Sequence, residues 1–196
     1  MCKAYFPEIV IGEFRIHSFR IEGGQFLILN VPCGFDNYIL KKKEFFKNIV
    51  LNCKTSSVNF KIEKFSNSEL EALNSHLVIL KKYFSSYSED KFDISRLSLL
   101  SGWDIRLLNL FYLIFVKMIP LIEFNIAGLS SDSILKLFDF INEELIFKKV
   151  EVSIIIVEPS LSLNQNPLFI NSANIEETKR FFEESSERIS FKLKID

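Results

Sequence analysis

Four short stretches hold residue types whose spacing could support chemistry. Pro32-Cys33-Gly34 makes a tight connection behind the apolar run 26–31, and Asp36, Asn37 and Tyr38 follow it. Leu100-Ser101-Gly102-Trp103-Asp104, with Arg106 two places on, opens a long apolar-periodic stretch. The Ser101 hydroxyl is suited to cap a helix there, accepting a bond from an amide that the helix leaves unpaired. Glu123 stands near the end of an apolar run and is followed by the turn Ala127-Gly128-Leu129-Ser130. Its carboxylate reads either as a strand-end group, facing solvent or capping, or as a ligand. Glu158-Pro159 closes the β-branched run 150–157.

The remaining reactive side chains read as structural. Cys2, Cys33 and Cys53 form no metal-type spacing, and an odd count reads as reduced intracellular thiols. His17 and His76 fall outside the four stretches and read as packed or exposed structural residues. Lys41, Lys42 and Lys43 read as the solvated face of a helix. No metal site is expected.

Composition narrows the class. The chain has 196 residues, which suits one domain, 1–196, with a proper core. Hydrophobic residues make up 48%, and 21 Phe point to a bulky aromatic interior with some apolar surface for a partner. A formal net charge of −1 gives no field for a polyanion, so nucleic acid is excluded as a partner. The opening stretch 1–10 contains Pro7 and Glu8 and lacks a basic end followed by an apolar core, so no secretory signal is expected. Asn109, Lys117, Pro120 and Glu123 interrupt the longest apolar stretch, 107–124, and a spanning helix needs ~20 apolar residues. No membrane span is expected.

The elements that must position these residues follow from periodicity. A half-buried strand is expected within 13–21, where Phe14 and Ile16 alternate with Arg15 and His17. Glu22-Gly23-Gly24 supplies a turn into a strand at 26–31, and a helix is expected at 37–51. The middle leaves alternatives open: a strand at 58–62, then a helix, a strand or one after the other at 68–80, and a polar loop at 85–90. A helix from Ser101 through 118 leads to a strand at 119–124. Ser130 or Ser131 caps a helix to about 147, and a central strand follows at 150–157. A loop at 161–166, a helix at 175–185 and a final alternating strand at 189–195 close the chain. Strands alternating with helices imply an α/β fold with a mainly parallel sheet, and an antiparallel portion near the start.

Taken in order, the four stretches resemble the ATPase subunit of an ABC transporter over roughly 14–160. That family carries a phosphate loop, G-x-x-x-x-G-K-[ST], whose amides cradle phosphates, whose Lys reaches the β/γ-phosphates and whose hydroxyl holds magnesium. Its key places are occupied here by Val31, Asp36, Asn37 and Tyr38. Leu100-Ser101-Gly102-Trp103-Asp104 resembles the family signature Leu-Ser-Gly-Gly-Gln, one residue shorter, with Trp103 at or beside the second glycine. Glu123 takes the place of the magnesium-side Asp, and Phe124 that of the water-polarising Glu. Glu158 agrees with the next strand end, but Pro159 replaces the His that touches the γ-phosphate. The Gln that couples nucleotide to the transporter has no convincing equivalent, and it would be sought around 76–80.

The resemblance implies a P-loop NTPase-like fold with a reduced helical subdomain at about 81–118. It also implies a pseudo-ATPase, because the Lys, the hydroxyl, the Glu and the His are all replaced. Gly34 and Asn37 mark the degenerate phosphate loop. Ser101 and Gly102 would meet a partner's ATP in trans, since family members pair head to tail. The implied partners are an intact ABC ATPase subunit and a membrane permease, at a cytoplasmic site peripheral to the inner membrane. The alternative is a regulatory or scaffold protein that keeps the fold and has left transport.

Overall fold

The computed structural model describes residues 3–11, 14–30, 50–51, 54–58, 65–84, 101–158 and 168–192. Gly34, Asn37 and most of the expected helix at 37–51 lie outside these residues, as do the loops at 85–90 and 161–166.

The first strands are β1 (Lys3–Phe6), β2 (Ile9–Ile11), β3 (Phe14–Ile16), β4 (Phe19–Glu22) and β5 (Phe26–Asn30). In β4 buried Phe19 and Ile21 alternate with exposed Arg20 and Glu22, as befits a sheet with one wet face. Then come β6 (Val50–Leu51) and β7 (Thr55–Ser57). β6 corrects the expected end of the 37–51 helix, because Val50 and Leu51 pair antiparallel with β1. Of the strand sought at 58–62, residues 59–62 lie outside the described residues, and Val58 stands just past the end of β7. The strands β1 and β2, and a later one at 168–170, were not anticipated, and the strand expected within 13–21 is two, β3 and β4.

Residues 68–80 resolve as helix α1 (Asn67–Tyr83), opened by a capping box between Ser66 and Glu69. The sequence 76–80 therefore sits inside a helix, where His76 packs on Phe111 and Phe115. Next are α2 (Gly102–Phe111), β8 (Leu121–Asn125), α3 (Ser131–Phe140), β9 (Ser153–Glu158), β10 (Leu168–Ile170) and α4 (Ile175–Lys192). Both α2 and α3 run on into a wider π-helical turn, Tyr112–Val116 and Ile141–Ile146. The strand expected at 189–195 is corrected: residues through Lys192 continue α4. Ile175, Thr178 and Phe182 are buried at helical spacing, no Gly or Pro intervenes, and extending a formed helix is cheap.

The expected mainly parallel sheet is present, in the order β10-β5-β9-β8-β7. Only β10 runs antiparallel. β4-β1-β6 form the antiparallel portion, and β2 pairs with β3. Phe26, Ile28, Ile122, Phe124, Ile154 and Ile156 face the helices. Leu27, Leu29, Leu121, Ile155 and Val157 face Phe6, Phe19 and Ile21 of the antiparallel sheet. Strands covered on both faces need continuous apolar runs, which is what β5, β8 and β9 supply. Ser153, a buried polar exception alongside Glu123 and Asn125 of β8, donates to the Glu22 carbonyl at 2.7 Å and accepts from the Gln25 amide at 3.3 Å, fastening the turn where Gly24 takes φ +79°. No described helix is long and apolar enough to cross a membrane.

Candidate functional site

The helix α2 begins, and the strand β8 ends, at the carboxyl edge of the parallel sheet, where α/β folds bind ligands. Ser101 caps α2 as expected, accepting from the Asp104 amide at 3.1 Å. Asp104 returns the bond: its carboxylate accepts from the Ser101 hydroxyl at 2.8 Å and the Ser101 amide at 3.3 Å. Asp104 is fully buried. The Ser-x-x-Asp spacing was the available signal for this reciprocal cap.

Trp103 borders the open space beside Ser101 with little of its surface. It is 4% exposed, and its Nε1–H donates to the Tyr83 carbonyl at 3.0 Å. Gly102 remains open: a Cβ built there would meet nothing within 4 Å among the described residues. Its backbone is not in the left-handed region, so among the described residues neither conformation nor packing explains the glycine.

Beyond β8 the chain turns through Ala127 and Gly128, the latter at φ +70°. The Asn125 carboxamide oxygen accepts from the Ala127 amide at 2.8 Å, and the Leu129 amide donates to the Ile126 carbonyl at 3.1 Å. Ser130 then caps α3, accepting from the Ser133 amide at 3.3 Å. Of the two serines considered as caps, the structure uses Ser130.

Arg106, one turn into α2, bridges the two halves. Its guanidinium donates to the Asn125 carbonyl at 3.2 Å and the Ala127 carbonyl at 3.0 Å. Burial lowers its pKa to about 10, so it stays charged at neutral pH. Ser101, Gly102, Arg106, Gly128, Ser130 and Ser133 line a cleft of about 430 Å³. Two helix N-termini thus open on one space with a buried cation beside it. Asp132, also on the cleft, is paired with Lys136 at 3.0 Å. The sequence named Arg106 as a neighbour of Ser101 and gave no sign that it would grip a turn some twenty residues away.

Glu123 lies elsewhere. Its neighbour in register is Ile155, so it points to the antiparallel-sheet side, and it is 3% exposed. The Ser57 hydroxyl donates to its carboxylate. Of the readings held open for Glu123, solvent exposure is ruled out. Phe124, fully buried, points to the opposite face and packs among the helices. Glu158 ends β9 beside Asn30, and burial raises its pKa. Among the described residues no group of three or more His, Cys, Asp or Glu could hold a metal ion.

No family model matches this chain, and no curated protein sequence matches it. Solved structures do. CbiO1 from Clostridium perfringens, part of the ABC transporter complex cbiONQ, is similar with a TM-score of 0.53 at 12% identity, over 98% of this chain and 94% of that one. MJ1267, an ATP-binding cassette of an ABC transporter in its ADP conformation, gives a TM-score of 0.51 at 14% identity, over 83% of this chain and 82% of that one. At such identities the likeness is one of fold, and the fold is that of an ABC-transporter ATP-binding cassette.

Proposed function

We propose that this chain is a non-hydrolytic, cassette-like subunit that pairs with an intact ABC ATPase and docks on a membrane permease. The observation that carries the proposal is Phe124. Where a hydrolysing cassette needs a carboxylate to polarise water, this chain has a phenyl ring with no accessible surface, built into the core against Trp103. The ring cannot be exchanged for a working base without dismantling the packing around it.

In this reading Ser101 and Gly102 face the partner's ATP in trans. The open space at Gly102 supports it, since among the described residues nothing fills the room beside this glycine. The phosphate loop with Gly34 and Asn37 holds no nucleotide of its own, residues 81–118 serve as a reduced helical subdomain, and the subunit works at the cytoplasmic face of the inner membrane. Nucleic acid has no part in this function.

One observation favours a second reading, a regulatory or scaffold protein outside transport. Asp104 already takes the Ser101 hydroxyl and amide, so a phosphate arriving there meets a carboxylate. Expression of the full chain with an intact ABC ATPase and permease from the same cell, followed by affinity purification, separates the two. Recovery of a stoichiometric complex supports the transport reading, and recovery of this chain alone sinks it.

A further inference from the structure

We propose that Arg106 is the positioning residue of this cleft: its guanidinium holds the 127–130 turn against the start of α2 and so fixes Ser101 and Ser130 relative to one another. Ser101 and Arg106 share one rigid helix, and Ser130 opens another. Arg106 reaches the carbonyls of Asn125 and Ala127, the residues that lead into the Ser130 cap, at 3.2 and 3.0 Å. Both contacts are within hydrogen-bond range and both are charge-assisted, hence stronger than neutral ones. Arg106 is only 9% exposed, so little water competes for these carbonyls. A planar fork spans two acceptors, whereas the single ammonium of lysine is a compact point charge.

The functional consequence rests on the head-to-tail pairing proposed above. A cleft that meets a partner's nucleotide needs its two helix starts in register, and misplacement by about 1 Å costs on the order of a hundredfold in rate. Arg106 touches no reacting atom in this scheme and acts only through the turn it holds.

Two measurements on Arg106→Ala and Arg106→Lys test the proposal. In the isolated full chain, hydrogen exchange at the Ala127 and Leu129 amides should quicken roughly tenfold or more in Arg106→Ala, with the Thr178 amide in α4 unmoved. Millimolar guanidinium should restore protection in Arg106→Ala. In the assembled complex the partner's kcat should fall about tenfold with little change in KM, because placement rather than nucleotide binding is lost. Unchanged exchange at Ala127 and Leu129 in a folded variant overturns the proposal. A complex that forms with unchanged kcat overturns its functional half. Failure of the wild-type chain to assemble removes the pairing on which that half rests, while the exchange result still decides whether Arg106 holds the turn. Should Arg106→Ala not fold, Arg106→Lys carries the same measurements, with an intermediate effect expected.

Discussion

The indole of Trp103 meets the ring of Phe124 edge to face, with centroids 6.5 Å apart and planes at 65°. Phe124 stands where the resemblance puts a water-polarising carboxylate, and Trp103 where it puts a signature glycine, if that glycine is replaced and not deleted. In this chain they have become a core contact, of a kind worth about 0.5–1.5 kcal/mol beyond the area it buries.

Restoring the carboxylate should therefore cost stability and give no activity. Phe124→Glu is expected to lose at least about 3 kcal/mol, from a cavity and a buried, unpaired carboxylate. The isolated wild-type chain should show no phosphate release above background and no micromolar affinity for magnesium-ATP. Urea denaturation, a phosphate-release assay and calorimetry check these points. A folded Phe124→Glu protein that hydrolyses ATP, or tight nucleotide binding by the wild type, would refute the pseudo-ATPase reading.

Trp103→Phe keeps a ring and removes one donor. The Tyr83 carbonyl then loses its buried partner, at an expected cost of about 1–2 kcal/mol. Trp103 is the only tryptophan, so circular dichroism must follow the unfolding. An unchanged urea midpoint would mean that the Nε1 bond contributes nothing.

Much of this architecture was legible because its signals are local. The apolar runs at 26–31 and 150–157, the serine caps and the Gly23-Gly24 turn each declare an element within a few residues. The end of α4 misled because Ile189 and Phe191 alternate as a strand would, while the burial of Ile175, Thr178 and Phe182 that fixes the helix lies upstream. The cleft was half legible. Ser101 and Gly102 were named from their order in the chain, but Trp103 turning to Tyr83 and Arg106 reaching Ala127 are long-range contacts with no periodic trace.

Two carboxylates should respond to acid in opposite directions. Burial raises the pKa of Glu158, so its ionised form penalises the folded state above that pKa, and the penalty is relieved as pH falls below the ordinary 4.5. Glu158→Gln should raise the Tm at pH 7, with the gain fading towards pH 4. Glu69 is the reverse: the bond from Lys117, then those from Tyr112 and Ser66, lower its pKa to about 2. Its stabilisation is present above 4.5 and is lost as pH falls through about 2. Glu69→Gln should lower the Tm at neutral pH and converge with the wild type in strong acid. Parallel pH–Tm curves for wild type and either variant would contradict the assignment.

Lys149 takes φ +53°, with its amide on the Ile146 carbonyl at 3.1 Å and the Val150 amide on the Leu145 carbonyl at 2.9 Å. This pattern closes a helix around a left-handed residue, a place that glycine fills without strain. Lys149→Gly should stabilise the chain by about 0.5–1 kcal/mol, because its backbone strain outweighs the added unfolded-state entropy. That corresponds to a Tm rise of roughly 1–4 °C by calorimetry. A fall in Tm would show that the lysine side chain contributes more than its backbone strain costs.

Gly102→Glu tests the partner's nucleotide most directly. The position is open among the described residues, so the longer side chain should leave the isolated chain folded, with unchanged circular dichroism. In a head-to-tail complex it would set volume and negative charge beside the γ-phosphate. At ~4 Å and an effective dielectric near 20, two like unit charges repel by about 4 kcal/mol, enough to slow the partner's hydrolysis by well over tenfold. Gly102→Ala adds one methyl and no charge, so it should cost far less. If Gly102→Glu assembles and the partner's turnover is unaltered, Ser101 and Gly102 do not face its ATP, and the scaffold reading takes precedence. If turnover falls with Glu and not with Ala, repulsion of the phosphate is the cause and the trans role stands.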